Sequence, residues 1–318
     1  MLRKKRFQNK VAGNRYALPI SATLIAMIWV AVGLWVSNIW VQFAFTIAST
    51  FLMVELNNRN ALMRIYSRMV SCSFLVLLTT VALPSPTLKG AISTLCTISF
   101  YLIIWNTYQD KRSAGWTFYA FCCIGLASMV FIQVIYFMPF LWIMMMVFTL
   151  SFSVRTFLAS ILGVLTPYWF SAGYFIYSNN LQGLIDHFTD FINYKELFDY
   201  SQITDHNLVN LSFITVLGII GMIHFLRNSY ADKIRTRMIY ESFIMLNVVC
   251  IIFVILQPQH IYELQGFMIV NTAPLIAHWI TFTNSKFSNI CFITMLVMAI
   301  LILAYNIWIP PVLLLGNL

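Results

Sequence analysis

The sequence predicts an all-α, polytopic transmembrane helix bundle, and three observations predict it. The chain is 60% hydrophobic and only 9% charged, whereas a soluble domain carries about a quarter charged residues. So few charges cannot clothe a water-facing surface. The apolar runs are long and lack period-two alternation, which fits membrane helices of about 20 residues and not barrel strands of about 10. Finally, the cations gather in the short connections between those runs. Hydrocarbon offers the backbone no partner, so each peptide group must be bonded within its own helix.

Residues 1–15 hold Arg3, Lys4, Lys5, Arg6, Lys10 and Arg15 and no acid. The run 17–36 is longer than a secretory-signal core and a second run follows almost at once, so it reads as an uncleaved first span. Ser37 and Asn38 turn the chain into the second span, 39–54. A linker with Arg59, Arg64 and Arg68 follows. The third span, 69–83, stops at Pro84-Ser85-Pro86, because proline cannot donate to a helix ladder; the fourth is 91–105.

Residues 116–154 are too many for one crossing. As one helix they would run about 58 Å at ~1.5 Å per residue, against a hydrocarbon core of about 30 Å. They divide into spans 116–133 and 139–153, with the turn near Gln133–Pro139. Arg155 separates these from the seventh span, 157–177. Beyond the polar segment 178–207 come spans 208–226, 243–255, 267–282 and 290–309, completing about eleven.

Charge supplies the orientation. With the N-terminus inside, the inner connections receive all 19 Lys and Arg except Lys89 and Lys195, as the enrichment of cations in cytoplasmic loops requires. Merging the fifth and sixth spans would place Arg227, Lys233, Arg235 and Arg237 on the wrong side. The C-terminus and the segment 178–207 are then extracytoplasmic, and residues 1–318 form one integral domain of the cytoplasmic or inner membrane. The net charge of +9 follows from this sidedness. The partner it implies is the lipid bilayer, not nucleic acid. The six cysteines all lie within apolar runs without metal-ligand spacing and act as small hydrophobes. No motif calls for a cofactor, and no metal site is assigned.

Two groups of residues are candidates for chemistry. The polar segment carries Asp186, Asp190, Glu196, Asp199 and Asp205 against Lys195 alone. Within it, Leu181, Leu184, Ile185, Phe188, Phe191 and Ile192 recur at helical spacing, predicting an amphipathic interfacial helix over 181–200. Its simplest role is a connector resting on the membrane. A sharper one starts from Asp186 and Asp190, which share a helix face beside His187. Two carboxylates and an imidazole can serve as acid and base or hold a divalent cation, and Asp205, His206 and Glu263 lie on the same side to complete such a set. The second group is in the tenth span, where Asn271, Thr272 and His278 flank Pro274. Polar residues inside a membrane are costly and are candidates for a ligand-binding cavity; the simpler reading is that they bond neighbouring helices. Gln133 and Asn247 read as packing contacts, and His224 as interfacial.

The stretches Asn57-Asn58-Arg59, Tyr108–Gly115 (YQDKRSAG), Gly125-Leu126-Ala127, Tyr136–Pro139, Ser153-Val154-Arg155 and Gly163 resemble an uncharacterised family of bacterial multi-pass membrane proteins. More distantly, residues 39–177 are similar to the first seven helices of GT-C membrane glycosyltransferases. That resemblance implies a polyprenyl-phosphate sugar as donor and an acceptor taken on the outer face. It also implies a catalytic carboxylate in the first outer loop. Here that loop is Ser37-Asn38 and holds no acid, so no catalytic residue carries over.

The sequence is therefore read first as a non-catalytic envelope scaffold or accessory subunit, presenting an acidic outer helix to a lipid, glycan or protein partner such as a lipid-linked glycan or another envelope membrane protein. A lipid-linked glycosyltransferase acting on the outer face is the alternative. A small-molecule or lipid transporter with its site near Asn271 and His278 is the second.

Overall fold

In the computed structural model, the structure describes residues 6–32, 39–83, 86–178, 181–192, 197–201 and 203–308. Among the described residues there are thirteen α-helices and no strands. They are α1 (Phe7–Ala12), α2 (Ala17–Ala31), α3 (Trp40–Asn60), α4 (Met69–Ala82), α5 (Leu88–Ile104), α6 (Ala114–Val130), α7 (Met138–Val147), α8 (Val154–Tyr177), α9 (Leu181–Ile192), α10 (Asp205–Asn228), α11 (Ile234–Leu256), α12 (Ile261–Phe282) and α13 (Lys286–Trp308). Five helical stretches, 88–107, 154–177, 205–231, 234–256 and 286–308, are long and apolar enough to cross a membrane. Four more, 17–31, 69–82, 114–130 and 132–147, are apolar but shorter. The chain is an all-helical membrane protein.

The bundle is built around α12. Of its 22 residues, all but Tyr262, Glu263 and Phe282 are buried. A membrane helix buried on every side must be surrounded by protein, and α4, α5, α10 and α11 surround it. Its last turn is closed by the first short helix. Gln8 Nε2 donates to the carbonyls of Ile280 and Thr283, both at 2.9 Å, and Asn9 Nδ2 donates to Thr283 O at 2.9 Å. These amides take up carbonyls that a helix C-terminus leaves without partners. In turn, Ser67 Oγ donates to Ala12 O at 2.8 Å, tying α1 to the linker after α3. That linker begins with Ala61 in the left-handed region, φ 47°, the usual conformation just past a helix end.

The chain breaks where helix length requires it. After Val130, Phe131 is extended, and a 3-10 segment, Ile132–Phe137, leads into α7. Both ends of this hairpin meet. Gln109 N–H donates to Thr149 O at 2.7 Å, and Ser153 Oγ donates to Lys111 O at 2.9 Å. Residues 107–111 and 149–153 are therefore neighbours, and α7 returns toward the start of α6. The helix expected to reach residue 153 stops at Val147, because Leu150 has φ 53° and no L-residue continues a helix from there.

Pairing of α6 with α8 depends on two glycines. A Cβ on Gly163 would lie 2.5 Å from Phe118 O, and one on Gly125 would lie 2.7 Å from Val164 O. Only hydrogen fits at either point, so the two backbones approach as closely as small residues in membrane helices permit.

Most helices outrun the apolar cores from which they were read. The expected spans 243–255, 267–282 and 208–226 are parts of helices 234–256, 261–282 and 205–228. Polar ends such as Arg235 and Arg237 extend α11 without interrupting its ladder. The turn at Ser37 and Asn38 lies outside the described residues, as does Pro84-Ser85.

Candidate functional site

On the side of the long polar segment, α9 covers 181–192 rather than the 181–200 expected. Residues 193–196 lie outside the described residues. From Leu197 the chain is irregular, with Phe198 at φ 61°. This tail is fastened to the end of α11: Phe198 N–H donates to Leu256 O at 3.1 Å, and Tyr200 Oη donates to Ile255 O at 2.9 Å. The helix itself lies against α8 and the 3-10 segment Ile132–Phe137. Tyr136 Oη donates to Phe191 O at 2.7 Å and the two rings stack at 4.9 Å. Phe188 packs on Tyr168, ring centroids 5.3 Å apart.

Asp186 and Asp190 belong to α9, and their side chains fall outside the described residues. His187 Nε2 is 3.5 Å from Tyr168 Oη, whose proton goes to Ser128 Oγ at 2.9 Å. Asp205 is exposed in the first turn of α10, where a carboxylate is favoured by the helix dipole. His206 is turned instead toward α13: its Nδ1 is 3.0 Å from Asn306 Oδ1 and its ring stacks on Tyr305 at 4.4 Å. Asn306 Nδ2 donates on to Asn210 Oδ1 at 2.9 Å and Thr80 O at 3.2 Å. Glu263 opens α12, backed by Gly90 of α5. The described candidates His187, Asp205, His206 and Glu263 are thus distributed over different helices. Among the described residues, no three His, Cys, Asp or Glu are grouped to hold a metal ion. Asp199 accepts from Ser201, through side chain and backbone, and from Gln259 Nε2, and these bonds hold its carboxyl below the usual range.

Two of the polar residues of α12, Asn271 and Thr272, each meet a neighbouring helix. Tyr101 Oη donates to Asn271 Oδ1 at 2.6 Å, and Asn247 Nδ2 donates to Thr272 Oγ1 at 3.2 Å. The void beside Asn271 measures about 20 Å³, room for about one water. His278 is the exception in kind, because its partner is a charge. Asp232 Oδ2 lies 3.1 Å from His278 Nε2, and both side chains are fully buried. Since a carboxylate only accepts, the imidazole proton belongs on Nε2. Asp232 Oδ1 is 2.8 Å from Arg64 Nε. It lacks a well-directed N–H···O line, so the pair is held by charge. The Arg64 guanidinium in turn lies 4.2 Å over the ring of Phe282, a cation–π contact.

Around this triad stand Phe225 and Tyr240, each 5.2 Å from the His278 ring, and His224 at 5.5 Å. His278 Nδ1 and His224 Nε2 are buried without hydrogen-bond partners. His224, expected at the interface, is half-buried beside His278. The cluster joins the linker after α3, the turn between α10 and α11, and the last turns of α12. Arg235 reinforces the same seam, donating to Asn60 Oδ1 at 3.1 Å and Trp105 O at 3.0 Å.

Sequence reasoning read Arg64 only as part of a basic linker and did not single out Asp232. The available signal was Asp232 itself, one acid set among Arg227, Lys233, Arg235 and Arg237. Comparison of the chain with protein-family models, curated proteins and solved structures finds no match.

Proposed function

We propose that the chain is a non-catalytic scaffold or accessory subunit of the cell envelope. In this reading it is an eleven-span bundle of the cytoplasmic membrane with its N-terminus inside, holding the arm 178–207 at the outer surface for a lipid, glycan or protein partner. The observation that carries the reading is the way the arm is mounted. It is pinned at one end by the Tyr136–Phe191 stack and at the other by Phe198 and Tyr200 on the end of α11. Between and beside those points Ile185, Phe188, Leu197 and Tyr200 remain 53%, 40%, 53% and 50% exposed. An apolar surface fixed at two points, with carboxylates in the same segment, suits a docking platform.

The interior supports the same conclusion. Asn271 and Thr272 bond neighbouring helices and His278 Nε2 meets Asp232 in the turn between α10 and α11, as side chains that fasten a membrane bundle do.

The test is a photo-cross-linking residue at Ile185 in cells, with and without Asp186→Ala and Asp190→Ala together. A scaffold yields a defined cross-linked partner that the double variant loses, while abundance and heat stability stay unchanged. Loss of an envelope glycan with capture intact would instead make the chain a lipid-linked glycosyltransferase. Substrate-dependent labelling of a cysteine placed beside His278 would make it a transporter.

A further inference from the structure

A second feature lies away from the arm. Between α2, α4, α12 and α13 is a cavity of about 500 Å³, within the range of about 300–1,000 Å³ typical of small-molecule sites. Its walls are hydrocarbon: Leu24, Val76, Ile276, Leu296 and Leu303 are representative. Two of its hydroxyls, Ser21 and Thr80, are bonded back to carbonyls of their own helices. The cavity is continuous with the outside of the bundle, because Ile20, Leu24 and Ile300 line it and are 54%, 54% and 66% exposed. In a membrane protein that outside is lipid, so the space opens to acyl chains and not to water.

Cations lie near one end of the cavity. Phe7, Val11 and Asn14 line it there, and Lys10, exposed on α1, follows Phe7 by one helical turn. Arg6 and Arg15 flank the same short helix, Lys286 begins α13, and residues 1–32 contain no acid. Phe7 also packs on Phe292 of α13 at 6.1 Å, bringing the two elements together at this end. Basic side chains at the headgroup end of an interhelical groove are what an anionic lipid requires.

We infer that this cavity holds one acyl chain of an anionic phospholipid, drawn from the leaflet that α1 faces, with its phosphate against Lys10 and the neighbouring cations. The site is independent of the arm and of which compartment α1 occupies.

The full chain, exchanged into nanodiscs of phosphatidylglycerol and phosphatidylcholine with identical chains, would be re-extracted in mild detergent and its retained lipid identified by native mass spectrometry. Phosphatidylglycerol should be retained preferentially, and Lys10→Gln with Arg15→Gln should reduce that preference about fivefold per cation removed. Ala299→Phe, which fills the cavity from α13, should lower retention of both lipids with no change in elution profile. Equal retention of the two lipids by the unaltered chain would overturn the inference, as would undiminished retention in Ala299→Phe. If that variant fails to fold, Leu24→Trp at the mouth provides the same decision: phosphatidylglycerol brominated on its acyl chains should quench the added tryptophan more than the brominated phosphatidylcholine does, and equal quenching would refute it.

Discussion

Replacing Asp232 by alanine should be among the most damaging single changes in this protein. The carboxylate is fully buried, 2.8 Å from the Arg64 guanidinium and 3.1 Å from His278 Nε2. Breaking a buried pair by removing one partner costs about 3–5 kcal/mol, since the other is left uncompensated. Two features moderate this. Arg64 is 37% exposed, so much of its charge returns to solvent, where an ion pair is worth about 0–1 kcal/mol. The His278 hydrogen bond, to a charged acceptor, is worth about 1.5–3 kcal/mol. The expected loss is therefore about 2–4 kcal/mol. Asp232→Asn keeps an acceptor for His278 and loses only charge, so it should cost about half as much. Arg64→Gln leaves the fully buried Asp232 carboxylate without its counter-charge, so it should cost at least as much as Asp232→Ala, which leaves only a part-solvated guanidinium. Replacing all three residues by apolar ones should restore much of the loss, as uncharged substitutes for buried ion pairs often do. The assay is the unfolding midpoint in a mild-detergent and dodecyl-sulfate titration, with Lys111→Ala, an exposed residue, as the control expected within about 0.5 kcal/mol of wild type. Asp232→Ala matching that control, or Arg64→Gln matching it, would refute the account of the cluster.

The remaining predictions concern packing. Gly163→Leu should destabilise by about 1–3 kcal/mol or more through overpacking at the α6–α8 crossing, whereas Gly173→Ala, whose added Cβ meets nothing within 4 Å, should be neutral or stabilise by up to about 1 kcal/mol; the same titration separates them. Tyr101→Phe leaves Asn271 Oδ1 without its donor and should cost about 1–3 kcal/mol, while Tyr101→Phe combined with Asn271→Leu should recover part of that loss in a double-mutant cycle.

Much of the helical organisation is legible in the residues themselves. The apolar runs give the helices, and a length argument calls for a break, expected near Gln133–Pro139 and found from Phe131 to Phe137. What the runs do not reveal is where helices end, because a polar turn such as Ile234–Tyr240 continues the ladder as readily as an apolar one. The centrality of α12 is also hidden: an apolar sequence reads alike whether lipid or protein surrounds it. Its polar residues are the clue, and Asn271, Thr272 and His278 do point inward. Their partners are unreadable, since Tyr101 lies 170 residues from Asn271 and Asp232 lies 46 from His278. Asp232 is camouflaged further by the cations beside it. In the arm the helical spacing of Leu181–Ile192 is visible, but the turn at Phe198 depends on bonds to Leu256 and Ile255 that no local pattern announces.

The account depends on the acidic arm and the Arg64–Asp232–His278 seam facing opposite sides of the membrane. Reporter enzymes active only outside the cytoplasm, fused in turn at residue 195 and at residue 230, test this directly. Activity at 195 and silence at 230 is the expected result; equal behaviour at the two positions would contradict it.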